Sequence, residues 1–139
     1  MTIGLEDKLS IQELLARAAL GYDERDTEML AECFAEAAEM TMCIAGGDLI
    51  GPFMGRAGIL SLMVEAMATQ TDVRRHVISN IVFLDKAKES ALVLSNLTLL
   101  ATENGAINLL SAGLYRDEVV KAEGAWRIAK RHLDLDKSY

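Results

Sequence analysis

Proline is nearly absent from this chain. Only Pro52 occurs in 139 residues, so helices and strands can run long without a forced break. Cysteine is almost as scarce. Cys33 and Cys43 are too few for a disulfide framework and lack the paired spacing of a metal-ligand motif, so both read as buried thiols of an intracellular protein. No apolar run reaches membrane-spanning length, and Met1 to Asp7 has neither the basic nor the apolar region of a secretory signal. The expected location is cytoplasmic, with no membrane partner. An excess of positive charge is also missing. Lys and Arg total 14 against 21 Asp and Glu, and the net charge of -7 argues against nucleic acid. Aromatics make up 5% of the chain, whereas methionines number seven, so any cavity should be lined by aliphatic and thioether groups.

What is present is a large apolar fraction, 51%, in a length that suits one domain, 1–139, with one core. The first third reads as helical. Ser10-Ile11-Gln12-Glu13 has the form of a capping box, and Ile11, Leu14, Leu15, Ala18, Ala19 and Tyr22 follow at helical spacing. Asp26 is placed to cap a second helix with Met29, Leu30, Cys33 and Phe34 on its inner face. Glu39 to Ala45 predicts a short strand. Ala45 to Gly58 carries five glycines and predicts a loop, a mobile lip closed by Phe53 and Met54. Gly55 to Thr69 predicts a third helix. After residue 72 the pattern becomes strand-like over Arg74–Asp85, Ser90–Thr102, Ile107–Lys121 and Ala125–Asp136, joined by short turns. Short links favour an antiparallel meander. The class is therefore α+β, three N-terminal helices packed on a curved antiparallel sheet. Ser90 to Thr102 is apolar at nearly every position, so both faces of that strand should be covered, one by helices and one by a second subunit.

The chain has two histidines, His76 and His132. Alternation puts His76 on one face with Ile78, Asn80, Val82 and Leu84, at the open end of an apolar surface. Asp23 follows Ala19 by four residues, at the edge of the first helix's apolar stripe and near its C-terminus, where the macrodipole disfavours negative charge. Such a carboxylate is a strong acceptor if His76 meets it, and otherwise a solvated helix end. A carboxylate on one imidazole nitrogen fixes the tautomer and frees the other nitrogen for proton transfer. His132 lies in a charged stretch, at a rim or in the pocket. Tyr22 is either core or a hydroxyl donor. Arg74, Arg75, Arg127 and Arg131 are scattered and read as solvated rim charges, any one of which could anchor an anion.

The ordered set Ile11-Gln12-Glu13-Leu14, Tyr22-Asp23 with Asp26, Phe34, His76 with Asn80, Ala112-Gly113-Leu114-Tyr115-Arg116-Asp117-Glu118 and Gly124-Ala125-Trp126-Arg127-Ile128 resembles the SnoaL-like branch of the nuclear-transport-factor-2-like superfamily. The similarity is to the dehydratase and dehydrochlorinase members there. The resemblance implies a cone-shaped α+β barrel with an internal pocket. It also implies that Asp23 orients His76, which serves as general acid or base in an elimination without metal or cofactor. The second histidine of the scytalone dehydratase type is missing, with Asn108 the nearest polar residue in Ile107–Leu110. Met40 and Met42 stand where a tyrosine is implied. These departures leave the site closer to the dehydrochlorinase type, or to a relative without activity.

The expected function is a cofactor-independent lyase or isomerase acting on a small hydrophobic cyclic molecule. Asp23 and His76 are its catalytic pair, and Tyr22, Met42, Phe53, Asn108 and His132 are its substrate contacts. Alternatives from the same fold are a non-catalytic ligand-binding or assembly domain, a polyketide-cyclase-type enzyme, and an epoxide hydrolase, which needs an Asp-Arg-Asp arrangement. The expected assembly is a homodimer or homotrimer through the sheet.

Overall fold

The structure, a computed structural model, describes residues 3–139. Helix α1 spans Leu5–Asp23 and α2 spans Thr27–Glu32. Strand β1 is Phe34–Ile44, β2 is Ile50–Met54, and α3 is Gly55–Ala68. Four long strands follow: β3 Val73–Lys86, β4 Ser90–Glu103, β5 Ala106–Ala122 and β6 Ala125–Leu135.

Helix α1 starts five residues before the expected capping box. Gly4 precedes it without a side-chain cap, and Ser10 lies inside the helix. The early turn is held instead by acidic residues at the positive end of the macrodipole. Asp7 accepts a hydrogen bond from Trp126 Nε1 at 2.9 Å and an ion pair from Lys121 at 3.2 Å, tying the start of α1 to β5 and β6. The inner stripe of Ile11, Leu14, Leu15 and Ala18 is buried, as the spacing requires. Asp26 caps α2 by accepting from the Met29 N–H at 3.0 Å. Gly21 lets the two helices meet, because a Cβ there would sit 3.0 Å from the Leu30 nitrogen.

The second helix is shorter than its apolar spacing suggests. Cys33 ends it and Phe34 already belongs to β1, five residues ahead of the expected strand. The reason is tertiary. The Cys33 carbonyl accepts from Ile128 N at 2.8 Å and the Phe34 carbonyl from Arg56 Nε at 2.9 Å, so these groups leave the helical ladder. The expected lip contains β2, which pairs with β1 through Met40 and Phe53.

The strands form one sheet in the order β2-β1-β6-β5-β4-β3. The meander β3–β6 is antiparallel, as the short turns predict, but β1 runs parallel to β6. That parallel pairing is possible because four strands and one helix, β2, α3 and β3 to β5, lie between β1 and β6 in the chain's path. The sheet curves without closing, and α1 packs against β3 while α3 packs against β1. The barrel wall is thus completed by helices. On the inner face of β4, Ala91 and Val93 join the buried core that includes the helices, and Leu97 packs with Tyr115, Leu133 and Leu135 of β5 and β6. The outer face of β4 is only half-buried, not fully covered.

Candidate functional site

The alternation expected of β3 holds for its first half. Arg74, His76 and Ile78 turn inward, and the chain then makes a bulge at Asn80, whose φ is 53°. Beyond it the phase flips. Ile81 and Phe83 face the core, whereas Val82 and Leu84 are exposed. One extra residue therefore moved Asn80, Val82 and Leu84 off the face assigned to them.

Asp23, the last residue of α1, meets His76 near the start of β3. His76 Nδ1 donates to Asp23 Oδ1 at 2.5 Å, and the His76 backbone N–H donates to Oδ2 at 2.8 Å. Both carboxylate oxygens are thereby spent on one residue, which fixes ring position as well as tautomer. The two side chains are 5% and 11% exposed, so the pair is screened from bulk water. Nδ1 is occupied, and Nε2 has no protein partner among the described residues.

His76 opens on a cavity of about 150 Å³, lined also by Tyr22, Met40, Met42, Leu62, Met63, Ala66, Tyr115, Arg131, Leu133, Leu135 and Tyr139. A smaller space of about 30 Å³ continues it between Ala18, Ala19 and Ile78. Its walls are mostly aliphatic and thioether. Three larger clefts, of about 320, 290 and 280 Å³, lie elsewhere, open to solvent and bordered by charged side chains. The small cavity is the one that adjoins the acid–base pair.

Tyr22 packs edge-on to the His76 ring, centroid to centroid 4.9 Å. Gln70 Nε2 donates to its hydroxyl at 2.6 Å, so the hydroxyl hydrogen remains free to donate. Burial raises the Tyr22 phenol above its usual range, with the Gln70 bond acting in the other direction. The phenol is a neutral donor near pH 7.

Sequence reasoning missed the opposite wall. Arg131 is paired side-on with Asp117, Nε to Oδ1 at 2.8 Å and Nη2 to Oδ2 at 3.1 Å. The side chains are 5% and 0% exposed. The guanidinium carbon lies 4.0 Å from the Tyr115 ring centre. Burial acts against the Arg131 charge, but Asp117 and Tyr115 outweigh it, and the guanidinium is held above its ordinary range. Burial pushes the Tyr115 phenol up to about 12, and Asp117 adds to this while Arg131 opposes it. A signal existed: alternation along β5 sets Tyr115, Asp117 and Val119 on one face, and a carboxylate there demands a buried cation. Arg131 is therefore no solvated rim charge.

Of the other expected contacts, Met42 lines the cavity and three residues do not. Asn108 is exposed near the β4–β5 turn, opposite Ala101. His132 points to the outer face, because its neighbours Arg131 and Leu133 take the inward positions of β6. Phe53 is committed to β2 and packs on the core instead of closing a lip. Tyr139, which no pattern singled out, reaches the cavity from the chain end and lies 5.1 Å from the Arg74 guanidinium.

A SnoaL-like domain model matches residues 4–132. The chain belongs to the SnoaL-like family. Among solved structures, this SnoaL-like chain is similar to a cystatin-like-fold protein of unknown function from Nostoc punctiforme, with TM-score 0.83 and 24% identity over 98% of this chain and 96% of that one. It is similar to a candidate scytalone dehydratase from Novosphingobium aromaticivorans, with TM-score 0.77 and 25% identity over 94% and 85% of the two chains. It is also similar in fold to the β subunit of a candidate aromatic-ring-hydroxylating dioxygenase from the same organism, with TM-score 0.80 and 17% identity over 94% and 89%. No curated protein matches the chain. Among the described residues, no helix is long and apolar enough to cross a membrane.

Proposed function

We propose that this protein is a cofactor-independent lyase or isomerase that moves a proton on a small, largely apolar, cyclic substrate. One observation carries the reading: Asp23 holds Nδ1 of His76 and leaves Nε2 for an apolar cavity. In an elimination, Nε2 takes the proton from a substrate C–H. The C–H electron pair becomes the new C=C bond, and the leaving group departs with the electrons of its own bond. Asp23 stabilises the imidazolium formed, a contribution of about 10²–10⁴-fold for such acid–base help. Charge developing on the leaving atom or on a carbonyl oxygen would meet Tyr22 and the guanidinium of Arg131, which is held in place before reaction. No side chain of the site is arranged as an activated nucleophile beside paired oxyanion donors, so amide hydrolysis does not fit.

Size limits the substrate. A cavity near 150 Å³ suits about one benzene-sized ring. The test is a panel of cyclic β-halides, β-hydroxy ketones and enolisable ketones incubated in D₂O. Proton NMR would follow loss of the acidic C–H or appearance of the alkene. Exchange or elimination by the wild type that is lost in His76→Ala and Asp23→Asn supports the reading. Undiminished rates in either folded variant would falsify it. The epoxide-hydrolase arrangement is less well supported, because Arg131 pairs with one carboxylate, Asp117, while Asp23 is engaged by His76.

A homodimer through the outer sheet face is the assembly that the surface supports. Val77, Val82, Ile107 and Leu109 are 44–71% exposed on that face, beside Leu94 and Leu100 of β4. Sedimentation should give a dimer at micromolar concentration, converted to monomer by Val82→Lys with Leu109→Lys. A monomeric wild type would remove this assembly and leave the acid–base reading untouched.

A further inference from the structure

A second group of chemistry-bearing side chains lies on the opposite face of the sheet. The parallel pairing of β1 with β6 places Thr41 opposite His132 and Cys43 opposite Asp134. Residues two apart on a strand share a face, so these four side chains form a two-by-two array. One donor atom each from Cys43, His132 and Asp134 lies within 4.8 Å of the other two. His132 Nε2 is 2.9 Å from Asp134 Oδ1, and His132 Nδ1 is 2.7 Å from Thr41 Oγ1. The array is separated from the cavity by the sheet itself, since Arg131 and Leu133 take the inward positions on either side of His132.

We propose that Cys43, His132 and Asp134 form a binding site for a zinc-class divalent cation. A thiolate and an imidazole select against magnesium and calcium, which take oxygen ligands. Three protein ligands leave one position of a tetrahedral ion to water. Tetrahedral ligands at about 2.0–2.3 Å from zinc are separated by about 3.3–3.8 Å from one another. The present spacing, within 4.8 Å, is close to that range. With Nε2 on the ion, Nδ1–H donates to Thr41, the outer hydrogen bond that fixes the tautomer of a ligating histidine. The Cys43 thiol proton is released to solvent on binding, so affinity rises with pH. Arg116, in register with His132 on β5, is exposed, and solvent screens its charge. The ion would bridge strands whose ligands are about ninety residues apart in the chain. It would therefore bind the folded state and raise its stability. Sequence spacing could not show this set, since Cys43 has no ligand near it in the chain.

The test uses Zn²⁺ and Co²⁺ on the purified protein. Zn²⁺ should bind one to one in competition with a chromophoric chelator and raise Tm. Co²⁺ should give the near-ultraviolet charge-transfer band of a cobalt thiolate and visible bands of a four-coordinate site. Cys43→Ser should abolish the charge-transfer band, His132→Ala should abolish one-to-one binding, and Thr41→Val should weaken binding by about 10-fold. Zn²⁺ should also slow alkylation of Cys43 in the unaltered protein, where Cys33 is buried. That readout needs no variant to fold. A cobalt band that persists in Cys43→Ser, binding indifferent to His132→Ala, or alkylation of Cys43 unaffected by Zn²⁺ would overturn the assignment.

Discussion

Two buried carboxylates stand behind the walls of the same cavity, each holding a basic residue that lines it. Asp117 spends both oxygens on the guanidinium of Arg131, a fixed cation. Asp23 spends both oxygens on His76, one on the ring and one on the backbone. The first pair is locked in a single charge state. The second has an imidazole as its partner, with one ring nitrogen held by the carboxylate and the other left over. The Asp117 pair is the more deeply buried, but the difference in capability lies in the chemistry of the base. A charge that cannot move serves as framework and as a preset field. A proton that can move is what the proposed turnover requires.

Removing the proton carrier should have the largest effect. His76→Ala should lower turnover by about 10²–10⁴-fold with little loss of stability, measured by NMR exchange and by thermal melts. Asp23→Asn should approach it, because an amide neither fixes the tautomer nor stabilises the imidazolium. If Asp117→Asn reproduced this pattern instead, the two walls would have exchanged roles.

Breaking the fixed pair should act on stability first. Asp117→Ala strands a buried guanidinium and should cost about 3–5 kcal/mol in denaturant unfolding. Replacing both partners, Asp117→Leu with Arg131→Met, should recover most of that loss, since buried ion pairs are replaceable by apolar groups of similar volume. If the double variant also keeps full turnover, Arg131 has no part in the chemistry.

The environment of the fixed pair should be visible at high pH. Tyr115 is raised from 10.0 to about 12. A tyrosine held protonated in the folded state contributes stability that is fully present below its unfolded value. It is lost as pH rises toward the folded one. Unfolding free energy should therefore fall between pH 10 and 12, by about 3 kcal/mol in total. Tyr115→Phe should flatten that slope. The smallest effect belongs to a third aspartate near the site. Asp26→Ala removes the α2 cap and should cost about 1 kcal/mol with turnover unchanged, which separates a structural carboxylate from Asp23 three residues before it.

Much of this protein was legible in its sequence. The ends of β3 to β6 fall within one or two residues of the expected positions, because long alternating runs bounded by Asn-Gly and Glu-Gly turns admit few other pairings. The helical stripe of α1 and the cap at Asp26 were equally plain. The start of β1 was not legible, since Cys33 and Phe34 continue a helical spacing and leave it only because Ile128 and Arg56 claim their carbonyls. Nor was the bulge at Asn80, one residue that reversed the facing of everything after it on β3.

The sequence by itself determined the class, the curved meander and the residues able to exchange a proton, because periodicity and side-chain chemistry are local properties. Only the tertiary structure decided which of them meet. The end of α1 brings Asp23 to His76 across 53 residues. The β5–β6 register sets Arg131 on Asp117, and the parallel β1–β6 seam turns His132 away from the cavity toward Cys43. Those meetings depend on strand register and on a parallel pairing between distant segments, which no local pattern encodes.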